Sequence, residues 1–146
     1  MNASADKPTI SKAQALVRIE QLINGTVAII RPKPVPELHR PSLNDSLCLD
    51  PLDGGSEERI VVNRRYFLRG LPKGALKEVI AQVKAYWQSQ GHYIQAESEN
   101  GLQLYGRSRP DDFLITIGRS AGDVLTLGAT STCLWPNGTP EPSSTP

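Results

Sequence analysis

Little in this chain announces a chemistry, and what is missing narrows the reading. Only two of its 146 residues are cysteine, Cys48 and Cys133. They form no Cys-x-x-Cys pair, so there is no thioredoxin-type redox motif. Neither has a nearby histidine or second cysteine to complete four zinc ligands. The formal net charge is +1, which removes any broad electrostatic pull toward nucleic acid or an anionic membrane. No apolar run approaches the roughly 20 residues that span a bilayer. Met1 to Pro8 shows no basic segment followed by an apolar stretch, so no export signal is read there. Either this is a mature region given a start methionine, or the protein stays in the cytoplasm. The cysteines leave the same choice open: paired, they belong to an oxidising compartment, and reduced, to the cytosol.

What is present is one domain with tails, long enough to bury a core without metals. Residues 1–9 and 136–146 read as disordered ends, the latter a Pro/Ser/Thr tail. Residues 10–135 read as the folded part. Ser11-Lys12-Ala13-Gln14 has capping-box spacing, and Leu16, Ile19, Leu22, Ile23, Val27 and Ile30 follow it at near-helical intervals. This first helix ends either at Asn24-Gly25 or at Ile30, because the apolar stripe keeps its phase through the glycine. Pro32 stops it in both cases.

Residues 32–57 read as a proline-rich connector, extended at first, with a turn at Asp53-Gly54-Gly55. Arg59 to Gly70 alternates as a strand does. Ile60, Val62, Tyr66 and Leu68 share one face, interrupted by Arg64. Asn63, Arg65, Phe67 and Arg69 share the other. Leu76, Val79, Ile80, Val83 and Trp87 make the stripe of a second helix, which Gly91 is placed to cap. Asn100-Gly101 marks a hairpin between residues 93–98 and 102–108. Arg109-Pro110-Asp111-Asp112 turns the chain into Phe113, Ile115 and Ile117, and Ser120-Ala121-Gly122-Asp123 turns it again into Val124, Leu125 and Leu127. The order is helix, strand, helix, then a three-strand meander. It predicts an α+β two-layer sandwich with an antiparallel-rich sheet and its helices on one face.

Five side chains near the first strand are candidates for ligand binding: Arg64, Arg65, Phe67, Arg69 and Lys73. Arginine forks suit carboxylates and phosphates, so an anionic polymer is a candidate partner. The alternative is a solvated sheet face, with Glu97, Glu99, Asp111 and Asp112 close enough in sequence to offset its charge. Asn63-Arg64-Arg65-Tyr66-Phe67-Leu68-Arg69 imitates a twin-arginine export motif, but it is internal and no apolar segment follows it. Tyr66, Tyr86, Trp87, Tyr93, Tyr105 and Trp135 offer a stacking platform as one reading. Core packing accounts better for Trp87 and Phe113. His39 and His92 have no serine or cysteine nucleophile at a strand-to-helix turn beside them, so no catalytic residue is assigned. No metal ligand, cofactor or nucleic-acid partner is assigned either.

Tyr66-Phe67-Leu68-Arg69-Gly70, Tyr86-Trp87 with Gly91-His92-Tyr93, the strand start Asp112-Phe113 and the ending Cys133-Leu134-Trp135-Pro136-Asn137-Gly138-Thr139-Pro140 carry a resemblance. Over roughly residues 11–140 the chain resembles uncharacterised small lipoproteins and secreted proteins of actinobacteria. The resemblance implies a cell-envelope location with the two cysteines paired, and it implies no activity. Such proteins usually begin with a lipoprotein signal ending in a modified cysteine. None is read here, so no residue inherits an anchoring role. The expectation is a disulfide tying the connector to the last strand, the alternative being two buried free thiols. With it go two functional readings: a non-enzymatic envelope binding or scaffold domain whose partner is an envelope protein or anionic polymer, or a cytoplasmic protein-binding adaptor with reduced cysteines. A small hydrolase assembled around His92 is a third.

Overall fold

The computed structural model describes residues 9–43, 45–48 and 59–139. Helix α1 spans Lys12–Ile29 and opens with the expected capping box. The Ser11 hydroxyl accepts the Gln14 N–H, and the Gln14 side chain accepts the Ser11 N–H. The helix runs through Asn24-Gly25 rather than ending there, because Ile19, Leu22, Ile23 and Thr26 stay on one buried stripe. Gly25 serves packing instead. A Cβ at that position would lie 2.7 Å from the Tyr86 hydroxyl of the second helix.

Helix α2, Leu76–Ser89, buries Leu76, Val79, Ile80, Val83 and Trp87. It ends in a Schellman motif. The His92 N–H donates to the Trp87 carbonyl and the Gly91 N–H to the Gln88 carbonyl, both at 3.0 Å. Gly91 takes φ +83°, which is why glycine stands there.

The strands are β1 (Val35–Leu38), β2 (Ser46–Leu47), β3 (Ile60–Val61), β4 (Asn63–Arg69), β5 (Tyr93–Glu97), β6 (Gln103–Arg107), β7 (Leu114–Ser120) and β8 (Val124–Thr130). Six form one sheet in the order β1-β4-β8-β7-β6-β5, every pair antiparallel. β2 and β3 make a separate two-stranded ribbon. Three features refine the sequence reading. The connector contributes an edge strand, β1, whose prolines suit an edge. The strand read as one piece over residues 59–70 divides at Val62, where its partners change. The meander has four strands rather than three, since the segments on either side of the expected turn at residues 120–123 are separate strands, β7 and β8. The turn expected at residues 53–55 lies outside the described residues.

Both helices pack on one face of the sheet, α1 over β4 and β8, α2 over β5, β6 and β7. This is the α+β two-layer sandwich expected. Between the layers lie Trp87, Leu104, Phe113, Ile115, Ile117, Leu125 and Leu127, each at most 2% exposed. Burying a side chain of this kind stabilises the fold by about 1.5–3 kcal/mol. Cys48 and Cys133 form a disulfide with Cα atoms 5.7 Å apart. Beside it Ile60 and Leu134 exchange backbone hydrogen bonds of 2.9 and 2.8 Å. Thr9 and Pro136 to Gly138, read from sequence as parts of the tails, are held against each other. The Thr9 N–H donates to the Gly138 carbonyl, and the Lys12 N–H to that of Pro136, each at 2.9 Å.

Candidate functional site

The sheet face opposite the helices is the first candidate, and strand alternation decides what it carries. Leu68, Leu125, Leu127, Ile115, Ile117 and Leu104 point toward the helices and are buried. Their neighbours in sequence point the other way. The registers then align Arg65 with Gly128, Gly128 with Thr116, and Thr116 with Tyr105. A second row runs Glu37, Phe67, Thr126, Gly118, Gln103. A third runs Asn63, Thr130, Leu114, Arg107, Tyr93. With strands about 4.8 Å apart, Arg65 and Tyr105 stand roughly 14 Å apart across a floor of small residues.

Phe67 is held in place from two sides. The Arg69 guanidinium lies 4.9 Å from its ring, and the His39 ring meets it edge-on at 5.1 Å. Arg69 donates to the Glu37 carboxylate at 2.9 and 3.2 Å. At the far side, Arg107 Nε donates to Gln95 at 2.7 Å. Gln95 is the extra residue of a bulge in β5. Tyr93 and Tyr105 are 53% and 41% exposed. Among the described strand residues on this face there are three arginines, Arg65, Arg69 and Arg107, and one carboxylate, Glu37.

The fold therefore divides the five candidate residues. Arg65, Phe67 and Arg69 stand together on the face opposite α1 and α2. Arg64 lies on the helix side of β4 with Tyr66, its guanidinium donating to the Asn63 carbonyl at 2.8 Å. Lys73 lies beyond the strand, 3.2 Å from Asp123 of the β7–β8 turn. It lines a separate cleft of about 290 Å³ with Leu76, Lys77, Leu102 and Arg119. Trp87 and Phe113 are core residues, as their stripes predict. Trp135 is buried beside Arg59, whose guanidinium lies 6.0 Å from its ring.

The second candidate is a polar cleft of about 300 Å³ between α1, the end of α2 and the β6–β7 turn, lined in part by Arg18, Gln21, Tyr86, Gln90, His92 and Arg109. It contains His92, the centre of the hydrolase reading. Ser108 and Asp111 are close by, but they are not connected as a triad. The Ser108 hydroxyl donates to Asp111 and accepts the Phe113 N–H at 3.0 Å, and Ser108 is wholly buried. It cannot reach a substrate. His92 Nδ1 accepts the Arg109 N–H at 3.0 Å, not a serine proton. Burial alone pushes the Asp111 carboxyl up. The hydrogen bonds from Arg18 Nε, at 2.7 Å, and Ser108 outweigh it and hold Asp111 below the usual carboxylate range. Burial and the neighbouring Arg18 and Arg109 charges lower the His92 pKa, against a smaller opposing pull from Asp111. The imidazole is neutral near pH 7.

Comparison with known protein families, with curated proteins and with solved structures found no match to this chain. The two sites therefore stand on their own chemistry. Sequence reading missed the cleft because Arg18 and Asp111 are 93 positions apart. One signal was visible. Thr26 interrupts the buried stripe of α1, and buried Trp87 needs a partner for its indole N–H. The two meet at 2.9 Å.

Proposed function

We propose that this chain is a non-enzymatic binding domain of the cell envelope, and that it recognises an anionic polymer through the sheet face around Arg65, Phe67 and Arg69. The observation that carries the reading is the charge on that face, three arginines against one carboxylate among the described strand residues, with α1 and α2 both packed on the opposite face. Phe67, pre-positioned between Arg69 and His39, supplies a rigid apolar contact beside the Arg65 and Arg69 guanidinium groups. Guanidinium groups pair with carboxylates and phosphates in fixed geometry. The Cys48–Cys133 disulfide supports an extracytoplasmic location, since such bonds form and persist in oxidising compartments. The resemblance to actinobacterial secreted proteins narrows that location to the envelope.

The test is retention on immobilised dextran sulfate, with neutral dextran as control. Binding is expected at low salt and is expected to weaken linearly on a log–log salt plot. Replacing both Arg65 and Arg69 by alanine is expected to weaken binding roughly tenfold, about 1.4 kcal/mol, while leaving the unfolding midpoint in place. No retention at low salt overturns the proposal. So does equal retention of wild type and double variant.

A further inference from the structure

The polar cleft beside His92 has an uneven supply of hydrogen-bonding groups. The carboxylate nearest it, Asp111, and the Thr26 hydroxyl are already engaged. One oxygen of Asp111 takes the Arg18 Nε–H and the other takes the Ser108 hydroxyl. Thr26 Oγ1 takes the Trp87 indole N–H and donates to the Leu22 carbonyl. Its donors are not used up. Arg18 is fixed through Nε to Asp111 and through Nη2 to the Arg109 carbonyl at 3.3 Å, which leaves Nη1 without a partner among the described residues. His92 is fixed through Nδ1 by the Arg109 N–H. Its proton therefore sits on Nε2, which has no acceptor among the described residues. The Tyr86 hydroxyl and the Gln21 and Gln90 amides, each able to donate or accept, line the same space with no hydrogen-bond partner among the described residues. Leu22 and Trp87 lie at its base and are almost wholly buried.

A molecule that engages Arg18 Nη1 and His92 Nε2–H must bring acceptors, and the Arg18 and Arg109 charges favour a negative one. We infer that the cleft binds a small organic carboxylate, the carboxylate meeting Arg18 Nη1 and His92 Nε2–H and the rest of the molecule lying against Gln21, Tyr86 and Gln90. The volume, about 300 Å³, is at the lower end of small-molecule pockets. It admits either a free carboxylic acid or the C-terminal carboxylate of a peptide. This inference is independent of the sheet face: α1, α2 and the β6–β7 turn build the cleft.

Binding and protonation are linked here. Arg18 on α1 and Arg109 and Asp111 in the β6–β7 turn are the charged groups that act on His92. A bound carboxylate adds a negative charge to them and raises the His92 midpoint. By reciprocity the carboxylate binds more tightly as pH falls through that midpoint.

Heteronuclear NMR of the disulfide-intact protein tests the inference at constant ionic strength. One arm titrates succinate against succinamide. The other titrates acetyl-dialanine acid against its C-terminal amide. Saturable shifts are expected at the Trp87 indole N–H and the Arg109 amide with the acids and not with the amides. The arm that saturates at lower concentration identifies the source of the carboxylate. The His92 midpoint is expected to rise at saturation. Arg18→Gln is expected to weaken binding at least tenfold. Because that change removes a partner of Asp111, Gln21→Ala is the second variant, at an exposed residue that makes no protein hydrogen bond, and is expected to weaken binding a few-fold. Absence of saturable shifts in both arms overturns the inference. So do equal shifts from acids and amides, or a His92 midpoint that ignores the ligand.

Discussion

Tyr66 shows how far one position can be read and where reading stops. Its place in the alternation puts it on the helix side of β4, and it is there. Its hydroxyl meets the Glu20 carboxylate of α1 at 2.9 and 3.0 Å, a pairing across 46 positions that no local pattern reveals. Burial first, and then the donated hydrogen bond and the charge of Glu20, push the Tyr66 pKa from its ordinary 10.0 to about 12. The raised value means the folded state holds a proton that the unfolded chain has released. The contribution of Tyr66 is therefore complete below pH 10 and is lost as pH rises from 10 toward 12. Urea unfolding of wild type and Tyr66→Phe across that window checks this. The stability gap between them is expected to shrink with rising pH, and a constant gap refutes the assignment. The same residue-scale logic applies at Gly106, where a Cβ would meet the Tyr93 carbonyl at 3.1 Å and Trp87 at 3.2 Å. The glycine lets α2 and β5 approach β6 closely.

At the scale of elements, the most legible parts are those whose signals are local. The stripe and the glycine cap of α2 were both visible in sequence, and so was the hairpin at Asn100-Gly101. Gly91 carries the cap through its left-handed φ, and no atom lies within 4 Å of where its Cβ would be. Gly91→Ala is therefore expected to cost about 1–2 kcal/mol for conformation alone, and Gly91→Asn less. The urea midpoint should fall while the slope stays the same. An unchanged midpoint would show that the cap is not needed. Elements fixed by distant partners were not legible. Val35–Leu38 reads as proline-punctuated connector, and only its registers with Phe67 and Tyr66 of β4 make it a strand. The candidate face behaved similarly. Alternation already grouped Arg65, Phe67 and Arg69 and set Arg64 apart. The addition of Tyr105 and Arg107 required the sheet order, in which β6 lies three places from β4.

At the scale of the molecule, one covalent bond joins what topology leaves loosely connected. The ribbon of β2 and β3 sits outside the main sheet, and the Cys48–Cys133 disulfide ties it to the segment after β8. The bond spans 85 positions, and in the chain-entropy view a closure of that length contributes roughly 4 to 5 kcal/mol. Replacing both cysteines by serine is expected to lower unfolding stability by about 2–5 kcal/mol. Wild type under reducing conditions should approach the variant. Equal stability of oxidised wild type and variant would show that the bond adds nothing.

The joined ends of the domain have a mechanical consequence. Thr9 and Gly138 lie side by side, held by a handful of hydrogen bonds that include one from the Trp135 N–H to the Thr9 hydroxyl at 2.9 Å. Tension applied through the two ends would open these contacts first and then draw out α1 and β1. There the load path stops lengthening, because it crosses from Cys48 to Cys133 through sulfur. The chain between them, with α2 and β3 to β8, would carry no tension at all. A domain pulled from both ends would yield its first helix and keep five of its six sheet strands, among them the two that bear Arg65, Phe67, Arg69 and Arg107.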